Sequence, residues 1–231
     1  MKVCIIQTGR AGDTIITLPI CKYYYDKGNV VDYIIHENYI NIFNYIEYVD
    51  KLIIVPKTID IMNSIPIAYS LINELDYDKI IDLSVCFPGS KLNSHDFLKF
   101  GSFVDVKYNL ADVDIKERWN LKYNRNFENE NKLYNMLVKN DYVLIHNNSS
   151  SRNSIFDVDT KYEKIYVEKI ENFEIFDWYK IALNAKEIHC VDSSFANFIE
   201  VINEFKEIPK YIWNYSAKWS ETILKNNWII K

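Results

Sequence analysis

Near its start the sequence contains the stretch Lys2-Val3-Cys4-Ile5-Ile6-Gln7-Thr8-Gly9-Arg10-Ala11-Gly12-Asp13. The apolar run predicts a buried strand, and the small residues after it predict a tight turn. A helical pattern follows the turn and ends near Gly28. In α/β sheets ligands bind beyond the carboxyl ends of the strands, so this turn is the first candidate binding segment.

Strand and helix patterns alternate through the rest of the first half. The predicted strands are Val30–Ile35, Lys51–Val55 and Lys79–Leu83, and the predicted helices are Tyr39–Tyr45 and Asp60–Leu75. Unbroken apolar strands are typical of a parallel sheet that is covered on both faces. Residues 1–140 are therefore predicted to form an α/β Rossmann-like domain.

A second, smaller α/β unit is predicted for residues 141–231. Before it, the less regular residues 84–127 predict a short helix at Phe97–Phe100 and a strand at Phe103–Val106, and Glu128–Val138 predicts a helix. The pattern restarts with a strand at Tyr142–Ile145. The later predicted strands are Lys164–Glu168, Glu187–Val191 and Lys210–Trp213, and the later predicted helices are Phe176–Ala185, Ser194–Asn203 and Lys218–Lys225.

Composition excludes several classes of protein. The 231 residues are 48% hydrophobic and carry a formal net charge of −5, which is enough apolar material for a core and disfavours a dedicated nucleic-acid binder. No apolar run reaches the roughly 18 residues of a membrane span, and the first residues predict a strand, not a signal peptide. We therefore expect a cytoplasmic protein.

The four cysteines indicate neither a disulfide framework nor a zinc site. None of them forms a Cys-x-x-Cys pair, and all lie in apolar or strand-like surroundings, so buried free thiols are expected. A zinc site would need clustered cysteine and histidine, and the sequence contains no such cluster. No metal is expected.

Glycine and arginine are scarce, which gives weight to the positions where they occur. The chain has five glycines, where average usage would give about 16. Two of them, Gly9 and Gly12, flank Arg10 in the first turn, before Asp13. A glycine turn lets the backbone approach a ligand, but an aspartate at a helix start is also an ordinary cap. The spacing is not Gly-x-Gly-x-x-Gly, so a dinucleotide site is not indicated.

Two further segments are candidates for phosphate binding. The polar run from His146 to Arg152 follows a strand, and its hydroxyls, amides and guanidinium could hold phosphate oxygens, or it could be a solvated loop. A later strand ends at Asp192, and a helix capped by Ser193 or Ser194 begins there; this could face a phosphate or be a capped helix only. His189 lies within that strand and is interpreted as a satisfied buried histidine.

Taken together, these segments resemble the heptosyltransferase-like glycosyltransferases. Gln7–Pro19 resembles the family's opening, in which a strand leads to a small-residue turn, Gly-Asp, apolar residues and Leu-Pro. Ile80–Leu83 followed by 90–92 is similar to its fourth strand and the loop after it, and Val191–Phe198 to its late Asp-Thr-Gly-x-x-His-Leu motif. The run 146–152 is also similar, more loosely, to fucosyltransferase-like enzymes that use GDP-sugars.

The chain departs from the family pattern at several positions. Gln7 stands where a basic residue is common, Arg10 replaces a small residue, and Asn197 stands where the late motif has histidine. Ser193 and Ser194 replace Thr-Gly. The chain is also shorter than usual for the family.

The resemblance implies the GT-B architecture, two Rossmann-like domains with a cleft between them, here with a small second domain. It implies an inverting, metal-independent glycosyltransferase without a cofactor. Such an enzyme moves a sugar from a nucleotide-diphosphate donor to a glycan or lipid-linked acceptor. No transmembrane segment is expected, and contact with a membrane would be at most peripheral. Asp13 would be the general base. The residues implied for donor or phosphate binding are Gly9, Arg10, Gly12, His146, Asn147, Ser149, Arg152, Asp192, Ser193 and Ser194.

Two different functions stay open at this point. The first is that of a non-catalytic module derived from the GT-B fold, which would bind a nucleotide, a glycan or a partner without turnover. The second is that of another phosphate-handling α/β enzyme, although the glycine turn of an NAD-dependent epimerase and the strand-end motif of an aspartate phosphatase are both missing.

Overall fold

The computed structural model describes residues 1–85, 87–90, 102–149, 156–213 and 224–231. The chain divides into two compact units, Met1–Asn124 and Arg125–Lys231. Each unit is built on a parallel sheet, which confirms the predicted α/β class. The predicted helix at Phe97–Phe100 lies outside the described residues, as does most of the predicted helix at Lys218–Lys225.

The first unit contains a four-stranded parallel sheet in the order β3-β2-β1-β4. Its strands are β1 (Lys2–Ile6), β2 (Val30–His36), β3 (Lys51–Val55) and β4 (Lys79–Asp82). The central strands are almost wholly buried, as expected for a parallel sheet with both faces covered. Chain order reverses between β1 and β4, so the carboxyl ends of these two strands form the switch point at which such sheets bind ligands.

Within the described residues of this unit, three α-helices accompany the sheet: α1 (Ala11–Asp26), α2 (Ser64–Ser70) and α3 (Phe103–Leu110). Shorter 3₁₀ segments lie at Glu37–Tyr45, Ile61–Asn63, Glu74–Asp76 and Ile115–Trp119. Helix α1 is apolar around much of its circumference and is buried from residue 14 to residue 21. The long helix predicted for Asp60–Leu75 is divided into two 3₁₀ segments and α2.

The prediction of a strand at Phe103–Val106 is wrong, because these residues begin helix α3. Ser102 is the N-cap: its hydroxyl accepts the amide of Asp105 at 3.1 Å, and the Asp105 carboxylate accepts the amide of Ser102 at 2.9 Å. This reciprocal pair is a capping box. The apolar residues of this short segment suggested a strand, but the cap fixes a helix.

The second unit contains a five-stranded parallel sheet in the order β6-β5-β7-β8-β9. Its strands are β5 (Tyr142–His146), β6 (Glu163–Tyr166), β7 (Glu187–Cys190), β8 (Lys210–Ile212) and β9 (Trp228–Ile230). The first four match predicted strands closely, and β9 was not predicted. Here the switch point lies between β5 and β7.

In the part of the second unit that the structure describes, the α-helices are α4 (Phe127–Leu137), α5 (Tyr179–Asn184) and α6 (Ser194–Glu200). Short 3₁₀ segments lie at Ile175–Trp178 and Asn203–Phe205. No described helix is long and apolar enough to cross a membrane.

The division between the units falls before α4, whereas the predicted boundary of 140 falls after it. Helix α4 packs within the second unit: Lys180 Nζ donates to Asn131 Oδ1 at 2.6 Å, and Asn129 Nδ2 donates to Asp177 Oδ2 at 3.3 Å. Arg125, just before the helix, lies 3.8 Å from the centre of the Tyr179 ring. These contacts explain why the helix belongs to the second unit.

Candidate functional site

The predicted site residues fall into two groups, one at the switch point of each sheet. The first group follows β1 and comprises Gly9, Arg10, Gly12 and Asp13. The second group follows β5 and β7 and comprises His146, Asn147, Ser149, Asp192, Ser193 and Ser194. Arg152 lies outside the described residues.

A side chain at position 9 would displace the side chains of Gln7 and Asp13. A Cβ atom there would lie 2.7 Å from Gln7 Oε1 and 2.9 Å from Asp13 Oδ2. The Gly9 amide donates to Gln7 Oε1 at 2.9 Å, and Gln7 Nε2 donates to the Leu83 carbonyl at 2.7 Å. The glycine therefore lets the turn close over Gln7 while the Asp13 carboxylate stays beside the backbone.

Asp13 is the third residue of α1 and takes part in capping that helix. Its Oδ2 accepts the amide of Arg10, the N-cap residue, at 3.3 Å. Asp13 thus contributes to the cap from the third helical position, while Arg10 occupies the N-cap position. The side chain of Asp13 keeps 18% of its surface exposed, so the same carboxylate remains accessible to a ligand.

Lys107 is a further charged residue at this turn, and the sequence interpretation missed it. Its side chain is fully buried, and Nζ lies 3.6 Å from Asp13 Oδ1. The ammonium also donates to the Leu83 carbonyl and lies 4.4 Å from the centre of the Phe103 ring. Because the segment around Lys107 was predicted as a strand, nothing in the sequence placed this lysine beside Asp13.

A pocket of about 390 Å³ opens beside Asp13 at the ends of β1, β2 and β3. Its lining combines cations, carboxylates and apolar side chains; Arg10, Asp13, His36, Lys57, Asp60 and Met62 are among them. His36 links two segments that line this pocket. Its Nε2 lies 2.9 Å from the Ile59 carbonyl oxygen, and its Nδ1 accepts a hydrogen bond from the Asn38 amide at 3.3 Å. The pocket is large enough for a monosaccharide unit.

In the second unit the structure brings His146 and Ser193 into direct contact. His146 ends β5 and pairs in register with Cys190 at the end of β7, so residues that follow both strands converge. Ser193 Oγ lies 3.0 Å from His146 Nδ1. The same oxygen accepts the amide of Ala196 at 3.2 Å, which confirms Ser193 as the N-cap of α6.

This hydrogen bond orients the imidazole of His146. Ser193 Oγ accepts a hydrogen bond from the Ala196 amide and can donate its own proton to His146 Nδ1. In that tautomer Nε2 carries the ring proton and can donate to a ligand. Burial lowers the pKa of His146 to about 4, so the ring is neutral at physiological pH.

A pH dependence of stability follows from the lowered pKa of His146. The unfolded chain binds a proton at an ordinary pKa of about 6.5, and the folded chain only near 4, so the free energy of unfolding falls as the pH drops through this interval. The loss reaches about 3 kcal/mol. Urea unfolding of the wild type and His146→Asn at several pH values measures it. The plot of unfolding free energy against pH for His146→Asn should lack this part of the slope. Parallel plots for the variant and the wild type would contradict the lowered pKa of His146.

A pocket of about 540 Å³ lies against His146. Besides His146, Asn148, Ser194 and Phe195 line it at the sheet end, and the loop from Val167 to Ile175 forms its far side with Trp178. Three carboxylates, Glu168, Glu171 and Glu174, and one cation, Lys169, belong to that loop. The pocket thus offers an end beside the strands with the polar side chains of His146, Asn148 and Ser194, and a carboxylate-rich end beside the loop.

The other predicted residues of this group take different positions. Ser194 lines the pocket, whereas Asp192 is exposed and Asn147 and Ser149 are half-buried in the segment after β5. The sequence interpretation missed the loop after β6, because its charged residues carry no motif. Its place could be inferred only from the sheet order, which puts β6 next to β5.

His189 is a satisfied buried histidine, as predicted. Its Nε2 lies 2.9 Å from Glu187 Oε2, and its Nδ1 accepts the indole proton of Trp213 at 3.0 Å. Its ring stacks on Tyr211 with 4.6 Å between the centres. Burial lowers its pKa, and Glu187 opposes that shift. Both ring nitrogens are engaged, so His189 supports β7 and β8.

Cysteine and metal chemistry receive no support within the described ranges. Cys4, Cys21 and Cys190 are free and buried there, which confirms the expectation for these three, and Cys86 lies outside these ranges. In the same ranges, no three histidine, cysteine, aspartate or glutamate side chains gather as a metal site would require. Metal independence stays a prediction.

The fold of the chain is similar to that of solved glycosyltransferases. No model of a protein family matches the sequence, and no curated protein does either. Solved structures match the chain over its whole length. At identities between 9 and 14% this likeness establishes the fold, and it confirms at that level the resemblance to heptosyltransferase-like proteins.

Three of these structures show how far the likeness extends. A glycosyl transferase of family 9 from Veillonella parvula is 14% identical, with a TM-score of 0.64 over 100% of this chain and 85% of that one. The ADP-heptose LPS heptosyltransferase II of E. coli is 9% identical, with a TM-score of 0.64 over 100% and 90%. The E. coli heptosyltransferase WaaC, solved with ADP, is 12% identical, with a TM-score of 0.58 over 100% and 90%.

Proposed function

We propose that this chain is an inverting, metal-independent glycosyltransferase that moves a sugar from a nucleotide-diphosphate donor to the hydroxyl of a glycan or lipid-linked acceptor. The observation that carries the proposal is the pairing of two sites at two sheet switch points. One offers an accessible carboxylate, Asp13, and the other offers the His146 and Ser193 pair beside a pocket. The glycosyltransferase fold of the structural neighbours supports the same activity.

The donor is assigned to the second unit. Its diphosphate would lie at the ends of β5 and β7, where His146 Nε2 and the Ser194 hydroxyl can donate to phosphate oxygens. The nucleoside would extend toward the loop after β6. The carboxylates there can accept hydrogen bonds from sugar hydroxyls, and they would repel phosphate. Ser149 and Arg152, in the segment after β5, are proposed to complete the diphosphate site.

The acceptor is assigned to the pocket of the first unit, beside Asp13. In the proposed GT-B arrangement a cleft between the two units brings the acceptor hydroxyl to the anomeric carbon of the donor. Asp13 takes the proton of this hydroxyl while its oxygen attacks the anomeric carbon from the face opposite the nucleoside diphosphate. The bond to the leaving phosphate oxygen breaks with inversion. His146, the serines and Arg152 offset the charge that develops on the diphosphate, and no metal step is needed.

The donor assignment predicts a selective effect of Arg152→Ala. Loss of a charge-assisted contact to the diphosphate should weaken donor binding by about 1.5–3 kcal/mol. Thermal shifts with a panel of nucleoside diphosphates and their sugars identify the donor, and calorimetry then measures its affinity. Lys139→Ala, which removes an exposed cation at the end of α4, should bind as the wild type does. Equal affinity for Arg152→Ala would remove this arginine from the site.

The second candidate function is that of a non-catalytic module that binds a nucleotide or a glycan. The departures from the family motifs, above all Gln7 and Asn197, are the observation that favours it. The same panel separates the two functions. A nucleotide-sugar that shifts the melting temperature and is slowly hydrolysed supports the enzyme. A shift without turnover under any condition supports the module, and no shift with any nucleotide contradicts both nucleotide-based functions.

A further inference from the structure

Lys107 is a buried charge whose surroundings require a partner. Its side chain is fully buried in α3, and its ammonium donates to the Leu83 carbonyl. Removing an ammonium from water costs several kcal/mol unless hydrogen bonds and an opposite charge offset the loss. The carboxylate of Asp13 lies within ion-pair distance, with 3.6 Å between Nζ and Oδ1.

The two oxygens of Asp13 are held from different directions. Oδ2 accepts the Arg10 amide at 3.3 Å, which is the contact that capping of α1 requires. Oδ1 faces Lys107 and is not needed for the cap. A carboxylate held by one oxygen can turn about its Cβ–Cγ bond, whereas one held by both oxygens keeps a fixed plane.

The anchor of Lys107 is part of the turn that carries Asp13. The Leu83 carbonyl accepts from Lys107 and also from Gln7 Nε2, at 2.7 Å. Gln7 in turn accepts the amide of Gly9 at 2.9 Å. The position of the ammonium and that of the glycine turn are thus fixed through one carbonyl group.

We propose that Lys107 is a positioning residue, which fixes the plane of the Asp13 carboxylate through Oδ1 so that this carboxylate, which lines the pocket, is aimed at the acceptor hydroxyl. The assignment rests on the proposed function of Asp13 as the base. It goes beyond that function, because it places a residue of α3, remote in sequence from the motif, in control of the proton-transfer geometry. General-base efficiency depends on such alignment, and small misplacements reduce turnover strongly.

The test is a comparison of kcat and KM in Lys107→Met with those of the wild type. We expect kcat to fall about 10- to 100-fold, while the KM for the donor stays within about twofold, since the donor is assigned to the other unit. Lys107→Gln, which keeps a donor for the Leu83 carbonyl but lacks the charge, should lose kcat similarly and serves if the methionine variant does not fold. Unchanged kcat in either folded variant would overturn the proposal.

The matched control is Lys210→Met. Lys210 is also fully buried, and its ammonium donates to the carbonyls of Phe205, Lys206 and Ile208, with no contact to Asp13. This variant should lose stability as a buried lysine does but keep its kcat. An equal fall of kcat in both variants would mean that loss of stability explains the effect, and the positioning role would be wrong.

A double-mutant cycle separates this proposal from the proposed function. Unfolding is measured for the wild type, Asp13→Asn, Lys107→Met and the double variant, a readout that needs no turnover. The pair should couple by a factor of about five or more in the unfolding equilibrium constant. If the two residues couple but the chain transfers no sugar from any donor, the contact between Lys107 and Asp13 is supported and the proposed glycosyltransferase activity is contradicted. Additive effects would contradict the contact, and with it the positioning role, whatever the activity.

Discussion

Asp13→Asn is expected to lower the turnover of a nucleotide-sugar donor by about 10³- to 10⁴-fold while the fold survives. The amide cannot take the proton of the acceptor hydroxyl, and general-base catalysis contributes about 10²–10⁴-fold to such reactions. The substitution is nearly isosteric, and the amide oxygen can still accept the Arg10 amide, so the cap of α1 is kept. Lys107 loses its ion pair but keeps its hydrogen bond to the Leu83 carbonyl, so we expect a lower melting temperature and not loss of the fold. Steady-state kinetics in the presence of a chelator, with the melting temperature as a check, measure the effect.

The control for this prediction is Asp26→Asn, the same chemical change at the opposite end of α1. Asp26 is paired with Lys22 at the surface and lies away from the pocket beside Asp13. Its kcat should equal that of the wild type. Full turnover in folded Asp13→Asn would show that the base is another group. Turnover that requires added Mn²⁺ or Mg²⁺ would contradict the metal-independent mechanism.

Glu200→Ala is expected to give the largest loss of stability, about 3 kcal/mol or more. Glu200 is fully buried, and its carboxylate accepts the amides of Lys225 and Asn226, each at 3.0 Å, and the indole proton of Trp228 at 2.9 Å. Removing the acceptor leaves three donors unsatisfied, and charge-assisted hydrogen bonds contribute about 1.5–3 kcal/mol each before relaxation. Urea unfolding at neutral pH measures the loss.

Glu200→Ala should loosen the last strand, β9, before the rest of the second unit. Glu200 lies at the end of α6, and its partners lie just before or within β9, so the carboxylate fastens this strand to the helix. Hydrogen exchange should show faster opening of residues 224–231 in Glu200→Ala, and Glu200→Gln should be intermediate because it keeps one acceptor oxygen. Glu204→Ala, at an exposed position nearby, should change little. Equal stability of Glu200→Ala and the wild type would contradict this anchoring role.

The parallel sheets could be predicted because each strand carries its own signal. Runs such as Val30–His36 and Tyr142–His146 are apolar on both faces, and turns with polar or small residues separate them. Strand β9 escaped prediction for the opposite reason. Trp228–Ile230 is short, and its place depends on the carboxylate of Glu200, which no local pattern reveals.

In each candidate site, the residues that directly follow a predicted strand could also be found from the sequence. Asp13 and Ser193 follow predicted strands directly, and glycine scarcity and capping chemistry mark their turns. Lys107 and the loop after β6 could not be found, because they reach the sites through tertiary contacts. The decisive contact of Lys107, in α3, is with Asp13, in α1. The wrong strand prediction for the segment before Lys107 also hid the capping box of Ser102.

The proposed donor should bind to the second unit at the switch point between β5 and β7. We would test this with a crystal structure that contains an unreactive analogue of the donor identified by the thermal-shift panel. The diphosphate should lie at the ends of these strands, within hydrogen-bond distance of His146 Nε2 and Ser194, with the nucleoside against the loop 167–175. A diphosphate bound elsewhere on the chain, with this pocket free of the analogue, would contradict this donor site.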